Sequence, residues 1–135
     1  MFLECDIQPK VGAKVFKFET VVHNCARLAK LADTLKIPLV ATHQVNFGPI
    51  DDRIVAHHNT ELTKTFEKSA FSMLGDKTVD SHLESLEKRI AVLYGLDTVV
   101  CMLQTTKHLI DAGYDVFVVV DATSSFLVEE RNTGL

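Results

Sequence analysis

Two apolar runs constrain this chain more than any other feature: Ile90-Ala91-Val92-Leu93-Tyr94 and Tyr114-Asp115-Val116-Phe117-Val118-Val119-Val120. A strand with one wet face alternates apolar and polar residues, whereas a strand covered on both faces is apolar almost throughout. Between the two runs, Val99 to Ala112 has an amphipathic pattern and is closed by Gly113, which reads as a helix with a glycine C-cap. Strand, helix and strand in this order predict parallel pairing with a right-handed crossover.

The N-terminal part has the same grammar. Phe2 to Ile7 reads as a strand ending before Pro9. From Glu19 to Leu35, residues Val21, Cys25, Leu28, Ala32 and Leu35 form one helical stripe, and Pro38 to Thr42 reads as a second strand. From His43 to Lys64 the periodicity dissolves, with turn signals at Gly48-Pro49 and Asp51-Asp52. A short strand is expected within Phe66 to Met73, and a helix over Thr78 to Lys88 with Val79, Leu83 and Leu86 on one face. The alternation predicts a three-layer α/β/α architecture around a parallel, Rossmann-like sheet, in one domain over residues 1–135. The chain stops soon after Asp121-Ala122-Thr123-Ser124-Ser125, so the fold is expected to be incomplete at its C-terminus.

Composition narrows the function. Fourteen basic against 18 acidic residues leave a net charge of −4, which gives no general attraction to nucleic acid or to an anionic membrane. No apolar run has the length of a membrane span, and the first residues lack the basic region of a signal peptide. A cytoplasmic location is the expectation. The three cysteines, Cys5, Cys25 and Cys101, are unclustered and show neither a disulfide framework nor metal spacing.

Ligands of open α/β sheets bind beyond the carboxyl ends of the strands. Asp6, Lys68 and Cys101 map there. Cys101 lies in the first turn of its helix, where free backbone N–H groups favour a thiolate. A lysine nearby would lower its pKa further, and a carboxylate could take its proton and return it. Taken singly, each residue also has an ordinary structural reading: a buried small thiol, a loop-capping aspartate, a solvated lysine. Cys25, on the apolar stripe of its helix, and Cys5, inside the first strand, read as core.

Four segments together resemble the isochorismatase-like cysteine hydrolase superfamily, in the branch of the isochorismatase domain-containing proteins. Phe2-Leu3-Glu4-Cys5-Asp6-Ile7-Gln8 is similar to its D-x-Q strand, and Phe66-Glu67-Lys68-Ser69-Ala70-Phe71-Ser72 to its K-x-x-F-S segment. Gly95 through Thr106 is similar to its G-hydrophobic-x-x-x-x-C-hydrophobic-x-x-T block, and Gly113 through Ser125 to its final D-A-x-S-S strand. The resemblance implies a triad of Asp6, Lys68 and Cys101. It further implies a cis peptide at Leu96–Asp97 and an oxyanion hole from the N–H groups of Asp97 and Cys101. The implied chemistry is acyl transfer: Asp6 takes the Cys101 proton, the thiolate attacks an amide or related carbonyl of a small molecule, and water releases the acid.

The resemblance implies no cofactor. Nicotinamidases carry an Asp-x-His metal site after the second strand, and Ala41 to Gly48 has no such pair. His43, His57 and His58 read as solvated loop residues, so no metal is expected. The expected partners are a small-molecule substrate and further copies of the chain in a homo-oligomer, with no nucleic acid and no membrane. The competing expectation is a catalytically silent binding or scaffold protein of the same fold.

Overall fold

The computed structural model describes residues 1–135. Five strands form one sheet: β1 (Phe2–Cys5), β2 (Leu39–Gln44), β3 (Thr63–Lys68), β4 (Ile90–Gly95) and β5 (Asp115–Thr123). Six helices accompany them: α1 (Pro9–Gly12), α2 (Phe18–Leu35), α3 (Asp52–Val55), α4 (Lys77–Ser85), α5 (Leu103–Asp111) and α6 (Val128–Gly134). All pairings are parallel and the strand order is β3-β2-β1-β4-β5. The chain steps outward from β1 to β3, crosses back to β4, then steps outward again to β5. The reversal places a topological switch point between β1 and β4, which is where open α/β sheets present their ligand crevice.

Each sheet face is closed by its own apolar cluster. On one side, Phe2, Leu39, Ala41 and Tyr94 pack against Val21, Val22, Cys25, Ala29 and Ala32 of α2 and Ile54 of α3. On the other, Leu3, Cys5, Val40, Ala91 and Leu93 pack against Val79 and Leu83 of α4, Leu109 of α5, and Cys101 and Met102. Successive β1 side chains alternate between the clusters, as the pleat requires. The α/β/α layering agrees with the sequence pattern.

Several boundaries differ from the expectation. The middle strand runs over Thr63–Lys68 instead of Phe66–Met73, so Lys68 ends the strand. The last strand extends through Asp121 to Thr123. The helix expected from Val99 opens as a π-helical turn, Thr98–Met102, before becoming α-helical at Leu103. The stretch His43 to Lys64, expected to lack periodicity, contains α3.

Gly95 is required where it stands. Its φ is +125°, and a Cβ there would lie 2.1 Å from the Cys5 carbonyl oxygen. Only a residue without a Cβ lets β4 press against β1 at the switch point.

Candidate active site

Asp6, Lys68 and Cys101 come from three places in the chain and meet at the switch point. Lys68, at the end of the edge strand β3, reaches across β2 and is 1% exposed. Its Nζ lies 2.6 Å from Asp6 Oδ2 and 3.7 Å from Cys101 Sγ. The ammonium also donates to Gln44 Oε1 at 2.8 Å and to the Ala70 and Phe71 carbonyls, each at 3.1 Å. Asp6, at a left-handed φ of 53°, turns its carboxylate back over the strand ends, where Thr42 Oγ1 donates to Oδ1 at 2.9 Å. A buried lysine and aspartate are tolerable only with this degree of pairing.

Cys101 sits in the π-helical turn with 8% of its surface exposed, facing the crevice. Cys5, wholly buried, belongs to the same apolar cluster. The neighbouring Cys5 thiol lowers the Cys101 pKa from the ordinary thiol value, with help from Lys68 and against burial and the charge of Asp6. Cys5 is pushed well above the ordinary range by its neighbour Cys101, by burial and by Asp6. The two shifts run in opposite directions, so Cys101 ionises more readily than Cys5. For Lys68, burial alone would lower the pKa. The negative character of the cysteine pair and Asp6 outweighs burial and raises it.

The residues around this centre form a pocket of about 290 Å³. Asp6, Gln8, Gln44, Asp97, Cys101 and Ser125 supply its polar groups, and Phe47, Phe71 and Phe126 stand half-exposed at its mouth. Gln8 ties the wall together: Nε2 donates to the Gln44 and Gly48 carbonyls at 3.0 and 2.5 Å, and Oε1 accepts from Gln44 N–H at 3.0 Å. The Leu96–Asp97 peptide is cis. Asp97 accepts from Ser125 Oγ, which itself accepts from Thr98 N–H at 3.1 Å. The loops after β4 and β5 are joined in this way. Thr105 Oγ1 accepts from Met73 N–H at 3.0 Å and fixes the segment after Lys68 to the helix that carries Cys101.

Thr42 and Gln44 were not singled out as site residues by sequence reasoning. They lie on β2, between Asp6 and Lys68 in the sheet order, so any side chain bridging those two must pass them. The expectation of solvated histidines holds for exposed His57 but fails for His58. His58 packs inward and its Nε2 lies 3.2 Å from Glu4 Oε1, a fully buried carboxylate that also accepts from Tyr94 at 3.3 Å. His43 lies at the sheet end, 3.9 Å from Glu67.

The turn that carries Cys101 thus lies beside the switch point of a parallel sheet, with the Lys68 ammonium 3.7 Å from its sulfur and the Asp6 carboxylate paired to that ammonium. The family model "Isochorismatase domain" matches residues 1–135, and the chain belongs to the isochorismatase family. It is 34% identical over 126 residues to "Isochorismatase family protein 1A" of Dictyostelium discoideum, covering 90% of this chain and 61% of that one. It therefore spans about three fifths of that relative's length. Its fold matches "MAR1 Ribonuclease from Caenorhabditis elegans" with a TM-score of 0.92 at 30% identity, over 98% of this chain and 68% of that one. It also matches nicotinamidase PncA from Bacillus subtilis with a TM-score of 0.86 at 14% identity, over 98% and 90% of the two chains, a likeness of fold alone. No helix is long and apolar enough to cross a membrane.

Proposed function

We infer that the chain carries the catalytic centre of a cysteine hydrolase that cleaves an amide or related carbonyl bond of a small molecule. The observation that carries this reading is the position of Lys68 Nζ, 2.6 Å from Asp6 Oδ2 and 3.7 Å from Cys101 Sγ, behind a pocket that Asp6 and Cys101 line. Such an ammonium stabilises a thiolate and keeps the carboxylate within reach of the sulfur and its substrate.

In the proposed cycle, the Cys101 thiolate adds to the carbonyl carbon. The developing oxyanion is met by backbone N–H groups of Asp97 and Cys101. Asp97 N–H is suited to this because no group of the chain accepts from it. Asp6, which took the Cys101 proton as the thiolate formed, delivers it to the leaving amine, and a thioester remains on Cys101. Asp6 then takes a proton from water, which attacks the thioester and releases the acid. Each step uses groups already present, with no metal or cofactor. The pocket volume suits a small substrate, and its apolar mouth suits an apolar substituent beside the reacting carbonyl.

The test is a screen of small primary amides and esters against the wild-type chain and Cys101→Ala, followed by intact mass. Turnover by the wild type with a transient acyl adduct on Cys101, both absent from the variant, supports the reading. Equal turnover by Cys101→Ala refutes it. Intact binding without turnover or adduct favours a silent scaffold of the same fold.

A further inference from the structure

The pocket lining carries charge of one sign. Its carboxylates are Asp6 and Asp97, and no Lys, Arg or His lines it. Val11, Val15, Leu96 and Val100 make the rest of the wall apolar, together with the phenylalanines of the mouth. The cation of the site, Lys68, stands behind this lining. It is 1% exposed, and its three ammonium protons already have Asp6, Gln44, Ala70, Phe71 and Cys101 to serve. It offsets the charge of Asp6 and has no donor left for a substrate carboxylate. Asp97 has no such partner: its carboxylate accepts from the neutral Ser125 hydroxyl. Lys10, on α1 and outside the lining, donates to the Asn46 carbonyl at 2.7 Å. With Cys101 ionised, the negative groups of the site outnumber its one ammonium.

We propose that the pocket admits uncharged carbonyl compounds with an apolar substituent and rejects those that carry a carboxylate. The proposal rests on Cys101 being the reacting sulfur, as read above, and adds the charge of the substrate. Two effects act against an anion. Its charge meets Asp97 and the thiolate, and like charges repel more strongly in a partly desolvated pocket than in water. Its carboxylate also gives up water for an apolar wall that has no charged donor to replace it. An uncharged amide or ester meets neither effect, and its apolar part gains from the aromatic mouth.

The selection also bears on product release. Hydrolysis turns an uncharged acyl compound into an acid that is ionised at neutral pH. Once water has split the thioester, the product carries the charge that the pocket rejects. The groups that admit the substrate therefore expel the product, and the acid should be a weak inhibitor.

The experiment compares two alkylating reagents of nearly equal size, neutral iodoacetamide and anionic iodoacetate. Their rates at Cys101 are measured on the whole chain at neutral pH, and again in urea for the intrinsic preference of the thiol. The preference for iodoacetamide should be at least about tenfold greater in the folded chain than in urea. Phe47→Arg adds a cation at the mouth, at a position 44% exposed. It should raise the iodoacetate rate several-fold and leave the iodoacetamide rate nearly unchanged, while Phe47→Leu keeps the wild-type preference. Equal preference in the folded and unfolded chains, or faster labelling by iodoacetate, overturns the proposal. A chain that hydrolyses amides yet shows equal preference keeps the preceding reading and loses this one. If Cys101 resists both reagents, the preceding reading fails, and the selection is decided by titration with benzamide and benzoate. Benzamide bound at least about tenfold more tightly supports it. Benzoate bound as tightly, or neither compound bound, overturns it.

Discussion

Lys68 and Asp6 form an ion pair of 2.6 Å whose side chains are 0% and 6% exposed, although Lys68 ends β3, Asp6 follows β1, and β2 lies between those strands. The pair connects the edge of the sheet to its centre and sets the charge beside Cys101. Its energetics follow from desolvation. Two paired charges approximately break even, while one of them left alone in the same place is costly.

Lys68→Met should therefore destabilise the chain by about 3–5 kcal/mol, because the Asp6 carboxylate is left buried without its cation. Urea denaturation of the wild type, Lys68→Met, and the double variant Asp6→Asn with Lys68→Met measures this. The double variant should recover a large part of the loss. A cost below about 1 kcal/mol for the single variant would mean that the pair is solvated, as a surface bridge is.

The same lysine predicts an alkaline limit. Its folded pKa is raised above the ordinary 10.5, so the unfolded chain loses this proton first as pH rises. Its stabilising contribution is complete below 10.5 and is lost as pH climbs through the folded value. Thermal melts from pH 8 upward should show a fall in Tm at the alkaline end that is smaller in Lys68→Met. Parallel curves for the two proteins would remove Lys68 from the account.

Gly95→Ala should cost at least about 3 kcal/mol, through the clash of its Cβ with the Cys5 backbone and the unfavourable φ. Gly113→Ala is the control: it also has positive φ, at +83°, but a Cβ there meets nothing within 4 Å. Its penalty should be limited to backbone strain, about 1 kcal/mol. Equal losses at the two glycines would show that the approach of β4 to β1 is not tight.

These residues also show what the sequence made legible. The strands that flank the switch point are apolar enough to declare themselves, so Asp6 and Cys101 could be placed at strand ends before any coordinates. Lys68 was harder to place, because β3 is an edge strand of the pattern Thr63-Lys64-Thr65-Phe66-Glu67-Lys68, too polar for its boundaries to show. α6 carries no buried residue and so leaves no apolar stripe to read. The roles of Thr42 and Gln44 depend on who their neighbours are across the sheet, which periodicity along the chain does not encode. His58 was misread for the same reason. Its partner Glu4 belongs to β1 and looked like the polar position of an ordinary strand.

The central claim is that Lys68, placed between Asp6 and Cys101, makes Cys101 the reactive thiol of the chain. Site-resolved alkylation by iodoacetamide, with rates measured between pH 6 and pH 9, tests it most directly. The account predicts that Cys101 is labelled far faster than Cys5 or Cys25. Its rate should also hold up to lower pH than that of an ordinary thiol and drop sharply near neutral pH in Lys68→Met. Equal, slow labelling of all three cysteines, with the pH dependence of an unperturbed thiol at Cys101, would contradict it.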